Sequence, residues 1–196
     1  MMSNPQVENS ESIKAFLTKH QFSAANTYLL KKDSLPLAQK LLQSFISQEL
    51  FFNHKGEALC YYDTTNDCSG VAVLSFIQHA KDSFIVCKDT TLQQVLENLV
   101  DLNYQRVSFK DLPHSDYYLV LNWQKFKGKR GYKDDITWIE EEIAKAKKPY
   151  TITLIKINGD MQEVWGVRKG DKAKLKIKVK GKEADIAITN LPEYIK

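Results

Sequence analysis

Residues 116–158 restrict the fold more than any other stretch, because an apolar run, an amphipathic helix and a second apolar run follow one another there. The first run, "DYYLVLNW", is apolar at consecutive rather than alternating positions, the pattern of a strand covered on both faces inside a parallel or mixed sheet. "DDITWIEEEIAKAK" then puts Ile136, Ile139 and Ile143 on one helical stripe. Its acids, Glu140 to Glu142, come early and its lysines, Lys145, Lys147 and Lys148, come late, as the helix dipole favours, and Pro149 ends it. "YTITLIKIN" is the second strand. Parallel strands joined in this way cross over right-handedly almost without exception, so the expected class is α/β with a mixed sheet and flanking helices.

The flanking sequence supplies further elements. Residues 1–9 are polar and expected to be mobile. A short helix from Ser12 carries Ile13, Phe16 and Leu17, and a longer one is capped by Ser34, with Pro36 in its first turn and Leu37, Leu41, Leu42, Phe45 and Ile46 on one face. "ELFFNHKGEALCYY" reads as a hairpin around a turn ending at Gly56. A helix then starts at Asp67 or Ser69, with either Val71, Leu74 and Ile77 or Val73, Phe76 and Ile77 facing inward, followed by a short strand at 84–87. Thr90 and Gln93 have the spacing of a capping box for a helix over 91–101, whose stripe is Leu92, Val95, Leu96 and Leu99. A hairpin ends the chain. A soft boundary near residue 82 divides a small α+β part, 1–82, from an α/β part, 83–196.

Composition narrows the chemistry. With 43% hydrophobic and 27% charged residues and no apolar stretch near the ~18 residues a membrane span needs, the chain reads as a soluble globular protein. Net charge is +4, and the six lysines at 172, 174, 176, 178, 180 and 182 more than account for it, so the basic character is local. Three cysteines, Cys60, Cys68 and Cys87, suit neither a disulfide scaffold nor a four-ligand zinc site; full reduction is the simplest state, with one disulfide and one free thiol as the alternative. No leader of charged, apolar and small residues opens the chain, which suits a cytoplasmic protein, or an exported one if a signal has been removed. No glycine-rich phosphate loop and no closely spaced acid pair is present, so nucleotide-dependent enzymes and glycosidases are disfavoured and no cofactor is expected.

The order from strand 84–87 through helix 91–101, strand 117–123, helix 135–147, strand 151–158, a helical segment near 161–166 and a terminal hairpin resembles that of the thioredoxins. "VLNWQKFKGK" is similar to the thioredoxin strand running into its active site, with Lys127 to Arg130 where the two cysteines would lie. "LIKINGDMQEVWG" is similar to the next strand and turn, and there Asp160 takes the family's acidic position. The resemblance covers roughly residues 84–190 and implies a thioredoxin-like sheet. Both active-site cysteines are absent, and no proline precedes the hairpin at Lys172–Ala173. Disulfide exchange needs an attacking thiolate and a resolving thiol, so the resemblance implies a non-catalytic binding or structural module. In this reading 127–133 is a mobile surface loop and Asp134 or Asp135 caps the helix.

Two further groups of residues carry alternatives. "DCSG" at 67–70 resembles the nucleophile segment of papain-like cell-wall amidases, which makes Cys68, at a helix N-terminus, the candidate nucleophile of an amidase or peptidase, with His114 as base. Alternation puts Lys172, Lys174, Lys176 and Lys178 on one face of a strand, where they would meet an acidic protein, anionic lipid or phosphate backbone. No aromatic residue interleaves them, which disfavours single-stranded nucleic acid and leaves an unknown protein or another anionic partner. None of His20, His54, His79 and His114 pairs at i, i+4 or sits beside a cysteine pair, so no metal site is expected.

Overall fold

The computed structural model describes residues 4–34, 49–60, 69–80, 85–128, 133–167, 174–180 and 183–189. Among them, a seven-stranded mixed sheet is built from β2 (Thr27–Leu30), β3 (Leu50–Asn53), β4 (Glu57–Cys60), β5 (Ile85–Thr91), β6 (Leu99–Val100), β7 (Tyr117–Trp123) and β8 (Ile152–Asn158), in the order β5-β4-β3-β7-β8-β2-β6. β7 and β8 pair in parallel over seven positions, Tyr117↔Ile152 to Trp123↔Asn158, and β2 extends the parallel set from the other side of β8. β3 and β4 form the expected hairpin and run antiparallel to β7 through Phe51↔Leu119 and Phe52↔Tyr118. The sheet therefore takes strands from both sides of residue 82.

The continuous apolar runs are explained by a sheet covered on both faces. Along β7, Tyr118 and Val120 join one buried cluster with Leu30, Phe52, Ile155 and Ile157, whereas Leu119, Leu121 and Trp123 join the other. The second cluster is closed by α1 (Ser10–Lys19), α2 (Ser69–His79) and α4 (Trp138–Lys145), through Ile13 and Leu17, Phe76 and Ile77, and Ile139. The first is closed by α3 (Leu92–Leu96) and by the 3-10 turn Glu163–Trp165, whose Trp165 is buried. At the β3–β4 turn Gly56 has φ +76°, a conformation that favours glycine, and a Cβ there would meet the Leu92 Cβ at 3.3 Å.

Several expectations are corrected. The helix over 91–101 is a five-residue α3, capped by Thr91 and Gln94 one place later than expected, and Leu99 belongs to β6, where it pairs with Leu30. Strand formation at the sheet edge satisfies the main chain of Leu99 and Val100 while still burying both side chains. The N-terminal arm is not a free tail: β1 (Val7–Glu8) pairs in parallel with β9 (Met161–Gln162), and α1 starts from an Asn9 cap rather than at Ser12. Met161–Trp165 is accordingly a short strand and a 3-10 turn rather than one helical segment. α4 is preceded by a π-helical turn, Lys133–Thr137, so its regular part starts at Trp138. β10 (Lys174–Lys180) and β11 (Glu183–Thr189) form a two-stranded sheet of their own, and the hairpin beside β7 is β3–β4. The expected helix after Ser34 lies outside the described residues.

Candidate functional site

Parallel strands leave their carboxyl ends at one edge of the sheet, the usual place for a site in α/β folds. β7 ends at Trp123 and turns through the 3-10 segment Lys125–Lys127, while β8 ends at Asn158 and turns through Gly159 and Asp160 into β9. The two turns are stitched together, since Gly159 donates its N–H to the Trp123 carbonyl at 2.9 Å. A Cβ at Gly159 would stand 3.1 Å from the Gln124 side-chain amide, so a larger residue would push the turns apart.

Asp160 lies at the centre of this junction and is 1% exposed. Its Oδ2 accepts the Lys125 main-chain N–H at 2.6 Å and the Asn158 side-chain amide at 2.8 Å. Asn158 Oδ1 in turn accepts from Asp160 N at 3.2 Å and Gln162 Nε2 at 3.1 Å. Burial pushes the Asp160 carboxyl up to about 7, against the hydrogen bonds from Lys125 and Asn158 that pull it down, and the nearby Glu8 charge adds to the rise. Glu8 is buried as well. Its Oε2 takes the Lys125 ammonium at 2.7 Å and the Ser12 hydroxyl at 2.5 Å, so the N-terminal arm is fastened over the turn that follows β7. Asn9 adds a 2.8 Å bond to Glu163. Asn122 Oδ1 on β7 and Gln162 Oε1 on β9 are buried without a hydrogen-bond partner among the described residues.

This arrangement holds a carboxyl that changes charge near neutral pH in a closed cage of amides. The turn after β7 has Gln124, Lys125, Phe126 and Lys127, with Phe126 buried in the core just before the segment 127–133 expected to be a mobile loop, of which Lys127 ends a 3-10 turn and Lys133 opens a π-helical one. Residues 129–132, Arg130 among them, lie outside the described residues, and so do the side chains of Asp134 and Asp135.

The other sequence candidates are spread over the molecule. His114 is exposed on the loop before β7, at the opposite end of that strand from Asp160, and Cys68 lies outside the described residues. Asp116, the nearest acid to His114 in sequence, is bound by the Thr151 N–H and hydroxyl at 2.7 and 3.0 Å, which lowers its pKa. Cys60 and Cys87 form a disulfide between β4 and β5, with Cα atoms 5.6 Å apart, which corrects the fully reduced reading. In the terminal hairpin, Lys172 lies outside the described residues, and the register sets Lys174 and Lys176 opposite Thr189 and Ala187 but Lys178 opposite Asp185 and Lys180 opposite Glu183. Acid therefore stands across from half of the described lysines at the even positions. Among the described residues no helix is long and apolar enough to cross a membrane, and no three His, Cys, Asp or Glu side chains group as metal ligands.

Sequence reasoning pointed to Asp160 through the thioredoxin resemblance but missed Glu8, Asn158 and Gln162. Polar residues at 8 and 162 carry no local mark of burial; the parallel β1–β9 pairing makes it. Compared with protein-family models, curated proteins and solved structures, the chain matches none of them.

Proposed function

We propose that the chain is a thioredoxin-like module that acts by binding a partner or as a structural element and carries out no thiol–disulfide exchange. The observation that supports this reading is that the turn after β7, held by the bond from Lys125 N to Asp160, carries no cysteine as it runs into Lys127 to Arg130, where the resemblance puts a reactive pair. A thiolate there would need exposed sulfur and a resolving partner. The cysteines present in the described residues are instead paired with each other on β4 and β5, with β3 between them and β7.

Reduction of insulin by dithiothreitol tests the proposal. The expected rate with the protein is the uncatalysed one. Turnover that disappears in Cys60→Ser, Cys68→Ser or Cys87→Ser would overturn it. The amidase or peptidase reading makes a separable prediction, hydrolysis of an amide substrate lost in both Cys68→Ser and His114→Ala. The anion-binding reading of the terminal hairpin predicts polyanion binding that weakens with salt and is lost on charge reversal at Lys174 and Lys176.

A further inference from the structure

β5 is the outermost strand of the seven-stranded sheet on the side away from β6, and its two ends are held differently. At the far end Thr91 caps α3 through bonds with Gln94 at 3.2 and 2.8 Å, and the next residue, Leu92, is fully buried and donates its N–H to the Gly56 carbonyl at 2.9 Å. Core packing fixes that end. The near end begins with Ile85 and Val86, which are 66% and 46% exposed, so burial of their side chains gives it little hold.

Main-chain pairing holds the near end no better. The ladder matches Cys60 to Ile85 and Leu59 to Val86, then Glu57 to Thr91, so β4 advances two positions (59 − 57) while β5 advances five (91 − 86). β5 therefore carries three residues (5 − 2) that the ladder does not match, and a strand bulged in this way leaves main chain unpaired. The Cys60–Cys87 disulfide sits where the regular pairing stops. Both cysteines are partly exposed, and disulfides within reach of solvent are the ones that thiols reduce most readily.

We infer that this disulfide is a redox latch on the sheet edge: when a dithiol reduces it, residues 85–90 leave β4 while the rest of the sheet stays folded. β4 then becomes the edge strand over that stretch. A thiolate of the dithiol attacks one of the two sulfurs, forming a mixed disulfide and freeing the other cysteine, which takes up a proton. The second thiol then displaces the bound sulfur, so the dithiol leaves as a disulfide and Cys60 and Cys87 have gained its two electrons and two protons. Segments with few buried apolar contacts open at a lower free energy than the whole molecule, which confines the opening to the near end of β5. A bond reduced once per molecule turns nothing over, so the latch is independent of the proposed absence of thiol–disulfide catalysis.

Excess dithiothreitol on the full chain, without denaturant, is the test. After the reductant is removed at acid pH, alkylation in urea should count three thiols per chain where untreated protein gives one, since two of the three cysteines are paired. Amide signals of residues 85–90 should move on reduction to the positions of an unstructured chain, those of β7 and β8 should keep their folded positions, and reoxidation should reverse the change. A Cys60→Ser/Cys87→Ser double variant should show the open pattern without reductant. Three thiols in untreated protein, reduction only in the presence of denaturant, signals of 85–90 unmoved on reduction, or loss of the folded signals of β7 and β8 in the reduced wild type would each overturn the inference.

Discussion

Asp160 accepts a 2.6 Å hydrogen bond from the main-chain N–H of Lys125, 35 residues earlier in the chain, and is at the same time held beside the buried Glu8 carboxylate. The bond ties together the turns after the two central parallel strands. It does so with a group whose charge costs energy where it sits.

That cost makes stability pH-dependent. The folded-state pKa of Asp160 is raised from 3.8 to about 7, so the folded chain binds the proton more tightly than the unfolded one. The resulting stabilisation is complete below about pH 4 and is lost as pH rises to 7, an amount on the order of 4 kcal/mol for this group. Asp160→Asn keeps the shape and an acceptor for Lys125. Urea midpoints compared at pH 4.5 and 8 should show the variant gaining on the wild type as pH rises; equal slopes in the two proteins would contradict the assignment.

Lys156 is 1% exposed on β8 and bonds Glu140 of α4 at 2.6 Å and the Ser23 carbonyl at 3.0 Å. Burial pulls its pKa down, opposed by Glu140. Glu140→Gln leaves a buried cation short of its counter-charge and should cost about 1–3 kcal/mol, below the figure for fully buried pairs because Glu140 is partly exposed. Lys156→Met removes the charge and keeps the bulk, so it should cost less. Chemical denaturation of both variants checks the order, and the reverse order would show that the lysine contributes through more than this pair.

Joining Cys60 to Cys87 across 27 residues restricts the unfolded chain, and by the loop-closure relation reduction should lower stability by about 3–4 kcal/mol. Alkylation of the denatured, unreduced protein should label Cys68 alone, and all three cysteines after reduction. Labelling of all three without reductant would show that the bond is absent in solution.

Two glycines should respond oppositely to alanine. Gly56, at φ +76° and crowded by Leu92, should lose about 1–2 kcal/mol. Gly70 lies in α2 with nothing within 4 Å of an added Cβ, so Gly70→Ala should gain about 0.5–1 kcal/mol. Thermal melts of the pair test whether the β3–β4 turn is as tightly specified as the packing implies.

What the sequence determined by itself was local. Continuous apolar runs marked β7 and β8 as interior strands, the ordered charges and isoleucine stripe marked the helix between them, and the turn at Gly56 marked the β3–β4 hairpin. Each of these signals lies within one window of chain, where the period of burial and the chemistry of the turn are read directly. Tertiary structure decided what no window contains. Leu99 has helical spacing but joins a strand because Leu30 offers it a pairing partner. Glu8 looks like part of a solvated tail, yet it is buried because Lys125, 117 residues away, neutralises it and β9 supplies a strand to lie beside. Asp160 could be picked out by resemblance, but its raised pKa comes from burial and from Glu8, both products of the assembled fold. Desolvation and long-range pairing depend on what arrives from elsewhere in the chain, and these groups take their character only once the sheet has brought their neighbours in.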